Sequence, residues 1–176
     1  MTEEAEYENL SWDEIVSMCR HLAFEIWRGF APDVIVAISR GGLIPARILA
    51  DFLGIKRIYV MGIEFYEEPG RHGKKPRITQ QIPKKLVKRK KVLLVDDISD
   101  TGESLKAARK QLKGALRVKT ATLSFKPKSK YRPDFFVQTT TKWVVYPWEK
   151  EETYKGGEID KMLKETEFEL SEYKGA

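Results

Sequence analysis

Cysteine and histidine are scarce in this sequence of 176 residues. Cys19 is the only cysteine, so no disulfide can form within the chain, and there is no cluster of sulfur ligands for a structural zinc site. His21 and His72 are the only histidines, which disfavours a histidine-based metal site or a Ser-His-Asp triad. The sequence therefore predicts that any catalytic metal is held by oxygen ligands.

Long hydrophobic runs are also absent. No run approaches the roughly 20 apolar residues that span a bilayer, and the acidic segment 1–9 lacks the pattern of a secretory signal. We therefore expect a cytosolic protein with no membrane partner. The net charge of +6 suits anionic partners, which include phosphorylated small molecules as well as nucleic acids.

The composition is typical of one folded domain. Hydrophobic residues make up 41% and charged residues 33%, and the chain is long enough to bury a substantial core. There is no internal repeat and no low-complexity segment. We predict a single domain over residues 1–176, with its core at about 10–150 and a charged surface tail at about 151–176.

The first third of the chain alternates between helix and strand patterns. A capping box at Ser11–Glu14 predicts an amphipathic helix to about Arg28, with Trp12 and Trp27 in the core or in a subunit contact. The continuous apolar run 33–39 is typical of a buried parallel strand. A helix from Leu43 and a second strand at 57–63 would complete a βαβ unit.

The next stretch, from Glu64 to about Lys91, shows no regular pattern. Prolines, glycines and basic residues predict a mobile loop, either a lid or a disordered segment, from which residues 78–82 return as a short strand. The lid is favoured because long loops in compact domains are commonly functional. Segment 84–91 holds six basic residues in eight. It is either a nucleic-acid patch or a solvated edge, and the lack of interleaved aromatic residues favours the edge.

The remaining elements extend the same alternation. We predict a helix from Leu105 to about Gly114, a strand at 117–125, and short strands at 135–137 and 143–145. The tail holds apolar residues at spacings that allow one further helix. The fold class expected from this order is α/β, with a central, mostly parallel sheet flanked by helices.

One corner of this predicted sheet combines groups that bind phosphate and sugar. Asp96 and Asp97 stand where the apolar strand 92–95 ends, and carboxylates there could accept hydrogen bonds from vicinal sugar hydroxyls. A turn at a helix start then offers amides and hydroxyls for a phosphate monoester; its residues are Thr101, Gly102, Glu103 and Ser104. The earlier loop combines a guanidinium with glycine amides, which suits a diphosphate; its residues are Ser39, Arg40, Gly41 and Gly42. Together these sites describe a phosphoribosyl diphosphate.

The stretch 92–105 resembles the signature for phosphoribosyl pyrophosphate (PRPP) in the type I phosphoribosyltransferases. The loop 39–42 resembles the family's pyrophosphate loop, and 64–80 resembles its flexible catalytic loop within a small hood, with Phe65 and Tyr66 where the family has a Ser-Tyr pair. The closest likeness is to the microbial xanthine, guanine and hypoxanthine enzymes. The resemblance covers about residues 10–150 and implies the single-domain fold of that family.

The resemblance also implies roles for particular residues. Lys126 matches a lysine that donates to the purine 6-oxo group, Trp143 matches a ring that stacks on the base, and Val144 matches a backbone contact to the base edge. Asp100 is implied as the general base beside the imidazole edge of the purine. Asp96, Asp97 and Glu149 are implied near a Mg²⁺ ion that is coordinated mainly by substrate oxygens.

The function implied is transfer of the phosphoribosyl group from PRPP to a 6-oxopurine, with a nucleoside monophosphate and pyrophosphate as products. A homodimer or homotetramer is implied as well. Two alternatives stay open: a regulatory protein that keeps the PRPP site and binds nucleic acid, and an enzyme for orotate or another base. The base-site matches favour the 6-oxopurine enzyme and make nucleic acid an unlikely partner.

Overall fold

The computed structural model describes residues 6–67 and 74–150. The larger of two compact units spans residues 13–141, and the described residues of the smaller one are 6–12 and 142–150. The predicted single domain stays a prediction. The possible helix in the tail lies outside the described residues.

The helices and strands follow in chain order. They are β1 (Tyr7–Asn9), α1 (Trp12–Gly29), β2 (Val34–Ser39), α2 (Leu43–Phe52), β3 (Ile58–Glu67), β4 (Lys74–Gln80), α3 (Lys84–Val87), β5 (Lys91–Val95), β6 (Ile98–Ser99), α4 (Glu103–Gln111), β7 (Arg117–Phe125), β8 (Phe135–Thr139) and β9 (Trp143–Val145).

The central sheet is mostly parallel, as predicted. Its strands run in the order β4, β3, β2, β5 and β7, and both β6 and β8 pair with β7. Only the β3–β4 pair is antiparallel. Residues 34–38 and 92–95 are buried on both faces, which explains why these strands read as continuous apolar runs. The α/β fold with a parallel core is therefore confirmed.

The predicted helices α1, α2 and α4 are all present. The apolar stripe of α1 is buried through Ile15, Leu22 and Ile26, while Trp27 is 72% and Trp12 51% exposed. A place in the core is therefore wrong for these two tryptophans, because they lie off the buried stripe of the helix. The alternative expectation, a subunit contact, stays a prediction. In the described part of the chain, no helix is long and apolar enough to cross a bilayer.

The loop predicted over residues 64–80 is wrong for residues 64–67 and 74–77, and the short strand expected at 78–82 begins earlier, at Lys74, and ends at Gln80. Residues 64–67 and 74–80 extend β3 and β4 into an antiparallel hairpin, in which Phe65 pairs with Pro76 and Tyr66 with Lys75. The loop prediction failed because proline generally disfavours a strand, and Pro76 lies within this segment. An edge strand such as β4 tolerates proline, since one side of it needs no ladder hydrogen bonds. Residues 68–73 lie outside the described residues.

The smaller unit contains a two-stranded parallel sheet of β1 and β9. The amide of Leu10 donates to the carbonyl of Val145 at 3.1 Å, which extends this pairing. The rings of Tyr146 and Trp148 stack with centroids 4.9 Å apart, and Trp12 contacts Trp148 at 5.8 Å. These contacts hold the short strands together.

Candidate active site at the carboxyl edge of the sheet

Loops from three parallel strands meet at one edge of the sheet. They follow β2, β5 with β6, and β7, which are neighbours in the sheet and run in the same direction. This is the edge where open α/β sheets bind ligands. All of the residues in these loops belong to the larger unit.

The loop after β2 packs directly on the pair of carboxylates. A Cβ atom on Gly41 would lie 2.0 Å from Oδ2 of Asp97, and one on Gly42 would lie 2.4 Å from the carbonyl oxygen of Val95. Both glycines are thus required by close approach, not only by a turn. The peptide between Ser39 and Arg40 is cis, and Arg40 follows the last residue of β2.

Asp96 and Asp97 occupy the break between β5 and β6. They are only 8% and 6% exposed. Oδ1 of Asp96 accepts from the amide of Asp97 at 3.1 Å, and Oδ1 of Asp97 accepts from the amide of Ile98 at 2.7 Å. These bonds fix the orientation of two buried acids beside the glycine loop.

The predicted phosphate loop forms the start of α4. Gly102 stands at the N-cap with φ +80°, a left-handed conformation that favours glycine. The amide of Glu103 donates to the Thr101 hydroxyl at 3.4 Å, and Ser104 lies in the first turn of the helix. The N-terminal turn of a helix leaves amides without partners within the helix, so this end suits an anion.

A turn that sequence reasoning did not assign to the site braces this phosphate loop. We call residues 126–131 the bracing turn. Its Tyr131 lies so close that a Cβ on Gly102 would be 2.6 Å from the Tyr131 Cβ. The Ser99 hydroxyl donates to the Tyr131 carbonyl at 2.8 Å, and the amide of Lys130 donates to the Thr101 carbonyl at 3.0 Å. The phosphate loop is thus held by the bracing turn as well as by its own helix.

The bracing turn was detectable in principle. It directly follows β7, a predicted parallel strand, so its position at the same sheet edge was implied. Sequence reasoning took Lys126-Pro127 as a strand end and assigned a role only to Lys126. Further support comes from α4, because Nη1 of Arg109 donates to the Tyr131 hydroxyl at 2.6 Å. This bond raises the pKa of the Arg109 guanidinium.

Two lysines of the bracing turn face the predicted general base. Oδ1 of Asp100 lies 3.4 Å from Nζ of Lys126 and 3.2 Å from Nζ of Lys128. Neither contact has hydrogen-bond geometry, and Oδ1 has no hydrogen-bond partner among the described residues. The Lys126 side chain is only 8% exposed, whereas that of Asp100 is 39% exposed. The structure therefore brings together Asp100 and Lys126, the residues predicted to contact the imidazole edge and the 6-oxo group of one base.

The other predicted residues lie at several places. Glu103 is 3.8 Å from the Lys130 ammonium, and Phe65 and Tyr66 are both exposed on β3. Trp143 is exposed and Val144 buried on β9 in the smaller unit, which also contains Glu149. The site roles of these residues stay predictions.

The described residues offer few other reactive groups. Burial raises the pKa of the Cys19 thiol to about 12, which removes it as a nucleophile at neutral pH. Over residues 6–67 and 74–150, no three Asp, Glu, His or Cys side chains cluster so as to hold a metal by themselves. Asp96, Asp97 and Asp100 are acidic residues that this edge offers, and Lys126 and Lys128 lie beside Asp100.

Comparison with known proteins agrees with this geometry. Residues 10–154 match the family model of the phosphoribosyl transferase domain. A purine phosphoribosyltransferase from Pyrococcus horikoshii OT3 is 38% identical with a TM-score of 0.75, and the match covers 83% of this chain and 95% of that one.

Two further structures are similar. A hypothetical protein from Neisseria gonorrhoeae with bound ppGpp is 28% identical with a TM-score of 0.75, over 90% of this chain and 94% of that one. The xanthine-guanine-hypoxanthine phosphoribosyltransferase of Helicobacter pylori, at 21% identity and a TM-score of 0.69 over 86% of this chain and 97% of that one, shares the fold. The match over most of the chain, with the loops meeting at the carboxyl edge, shows that this chain belongs to the phosphoribosyltransferase family.

Proposed function

We propose that this phosphoribosyltransferase transfers the phosphoribosyl group of PRPP to a 6-oxopurine, such as xanthine, guanine or hypoxanthine, for purine salvage. The observation that carries the proposal is the pair of Lys126 and Asp100, 3.4 Å apart and next to the phosphate loop. A buried ammonium donates to a 6-oxo group but has no use for a 6-amino group, which is itself a donor. The relative from Pyrococcus horikoshii, named a purine phosphoribosyltransferase, supports the same substrate class.

The proposed orientation of PRPP follows the order of the loops. The 5′-phosphate binds the amides and hydroxyls of 101–104, the ribose hydroxyls bind Asp96 and Asp97, and the pyrophosphate binds Arg40 with the amides of 41–42. Positive charge develops on the ribose as pyrophosphate leaves, so stabilisation of the leaving anion and exclusion of water favour the reaction. Phe65 and Tyr66 on the hairpin are candidates for closing over the site.

Asp100 serves as the proton acceptor in this proposal. A purine ring nitrogen attacks the anomeric carbon, the bond to the pyrophosphate oxygen breaks with its electron pair, and the proton on the imidazole edge of the base passes to the Asp100 carboxylate. Lys126 donates to the 6-oxo oxygen in this proposal, while the base contacts of Trp143 and Val144 stay predictions.

Mg²⁺ is the metal that fits the donors. Asp96 and Asp97 supply oxygen ligands, and Mg²⁺ is commonly bound by one or two carboxylates together with substrate phosphates. Asp96 and Asp97 would hold it together with substrate oxygens, and when bound it would neutralise charge on the pyrophosphate, while the role of Glu149 stays a prediction. Removal of Mg²⁺ with EDTA should abolish turnover, and excess Mg²⁺ should restore it.

Guanosine polyphosphate is a second ligand to test at this site. The similar structure from Neisseria gonorrhoeae has ppGpp bound, and this ligand combines a guanine base with phosphate groups. We propose that ppGpp competes with PRPP for this chain. Inhibition that PRPP does not relieve would contradict competition at one site.

We also propose that the protein is cytosolic and forms a homo-oligomer. Exposed aromatic residues on one face of the larger unit support a subunit contact. Phe24 and Trp27 of α1 lie 6.3 Å apart, and the Arg20 guanidinium lies over the ring of Phe52 at 5.7 Å. Light scattering of the purified protein measures the subunit number.

One assay tests the substrate. The protein is incubated with PRPP, Mg²⁺ and each of xanthine, guanine, hypoxanthine, adenine and orotate, and nucleotide formation is followed by chromatography. We expect product with at least one 6-oxopurine and none with adenine. Lys126→Met should reduce the rate with that 6-oxopurine by about a hundredfold, as for loss of one oxyanion-type donor, and the exposed Lys113→Met serves as the charge-matched control. Absence of product with every base would favour the PRPP-sensing regulator.

A further inference from the structure

The base site holds one more cation than sequence reasoning assigned to it. A single oxygen of Asp100 faces two ammonium groups, those of Lys126 and Lys128. The two lysines differ in their surroundings, because the side chain of Lys126 is 8% exposed and that of Lys128 is 67% exposed. Lys126 is therefore confined, while Lys128 is free to follow a partner that moves.

The charges explain why a second lysine matters. Lys126 has two tasks in the proposed function, since it neutralises Asp100 in the free enzyme and donates to the 6-oxo group once a purine is bound. Hydrogen bonds are directional, and the Lys126–Asp100 contact already lacks hydrogen-bond geometry, so a Lys126 ammonium that donates to the purine attracts the carboxylate by charge alone. Asp100 must stay oriented at that moment if it is to accept the proton of the base.

We propose that Lys128 is the positioning residue that keeps the Asp100 carboxylate in place while Lys126 donates to the purine. This inference rests on the proposed function. Lys128 touches neither the base nor PRPP, and it takes up no proton. The proton moves from the imidazole edge of the base to Asp100 as the new C–N bond forms and the bond to pyrophosphate breaks.

The backbone around Lys128 supports this role. The amide of Lys126 donates to the Ser99 carbonyl at 3.1 Å, and the amide of Lys130 donates to the Thr101 carbonyl at 3.0 Å. Lys128 lies between these two fixed points, and Asp100 lies between their acceptors. The two segments are thus tied together on both sides of the Lys128–Asp100 contact, which is more order than an isolated surface ion pair has.

The test compares Lys128→Ala and Lys128→Arg with Lys113→Ala. Lys113 is exposed, lies after α4 and has no ion-pair partner in the described part of the chain, so its loss changes the net charge equally. Single-turnover rates with PRPP already bound avoid interference from product release. We expect Lys128→Ala to lower the rate about tenfold with the KM for PRPP unchanged. Lys128→Arg should restore most of the rate, and Lys113→Ala should match the wild type.

A double variant separates positioning from a structural role. If Lys128 acts through Asp100, Lys128→Ala in the Asp100→Asn background should cause no further loss. The inference is overturned if Lys128→Ala keeps the wild-type rate, or if it lowers the rate of Asp100→Asn by the same factor as that of the wild type. Inactivity of the wild type with every purine would instead overturn the proposed function, and with it this role.

Discussion

Two carboxylates near strand β7, those of Asp134 and Asp100, lie in different hydrogen-bonding environments. Asp134 accepts from the amide of Thr120 at 2.9 Å and from the Thr120 hydroxyl at 3.0 Å, and it pairs with the Lys119 ammonium. Asp100 has two lysines at 3.2 and 3.4 Å and no aligned donor among the described residues. Both acids neighbour cations, but only Asp134 has fixed donors.

This difference in hydrogen bonding decides whether a carboxylate oxygen is available to a substrate. Burial would raise the pKa of Asp134, but the hydrogen bonds from Lys119 and Thr120 outweigh it and lower that pKa. An acid with its lone pairs occupied by backbone and hydroxyl donors stabilises the fold and resists protonation. An acid whose neighbouring ammonium groups lack hydrogen-bond geometry keeps a lone pair for a substrate. Fixed donors thus distinguish the structural acid from the candidate catalytic one.

The largest effect is expected at Asp100. Asp100→Asn removes the proton acceptor but keeps the shape of the side chain, so turnover should fall by roughly 10²–10⁴-fold. PRPP affinity should change far less. Single-turnover rates and equilibrium PRPP binding measure the two quantities, and an equal loss of both would count against the role of general base.

The bracing turn is tested next, at Gly102. Gly102→Ala would force a left-handed residue with φ +80° and place its Cβ 2.6 Å from Tyr131. We expect destabilisation by about 2 kcal/mol or more and a clear rise in the KM for PRPP. Urea unfolding and steady-state kinetics measure these changes.

Gly54→Ala is the control for backbone strain. Gly54 has φ +66° and open space around its Cβ position, so this variant should lose about 1 kcal/mol without any change in KM. An equal KM effect at both glycines would show that the brace does not position the phosphate loop.

A smaller effect, on stability alone, is expected at Asp134. Asp134→Asn replaces a paired acid that accepts three hydrogen bonds, and it should destabilise the folded state by about 1–3 kcal/mol. The turnover of the protein that remains folded should equal that of the wild type. Urea unfolding with activity measured per folded molecule checks this, and a selective loss of turnover would break the contrast between the two acids.

The smallest expected effect is the pH dependence of the stability difference between the wild type and Asp134→Asn. Since the pKa of Asp134 is lower in the folded state, its contribution is present above the unfolded value of about 3.9 and is lost as pH falls through the folded pKa. The stability gap between wild type and Asp134→Asn should therefore be full at neutral pH and shrink below about pH 4. Unfolding at both pH values measures the gap, and a gap independent of pH would contradict this account.

Much of the fold was predictable because its signals are local. The capping box at Ser11 marks the start of α1, and the apolar runs of β2 and β5 are buried on both faces. The hairpin of β3 and β4 was missed, since pairing between distant segments overrides the local effect of Pro76. The core placement of Trp27 was wrong because Trp27 lies one residue past the buried Ile26, about 100° around the helix, and so off the buried stripe.

For the site, the sequence predicted which residue types are present, but it did not predict which side chains contact one another. The sequence by itself determined the parallel sheet, the two adjacent acids at the end of β5 and the helix start after Gly102, because periodicity and turn chemistry act over a few residues. Only the tertiary structure decided that Gly41 packs on Asp97, and that the bracing turn joins Lys126 and Lys128 to Asp100. Those contacts arise where parallel strands bring the ends of distant segments to one edge, and no spacing along the chain encodes which side chains then meet.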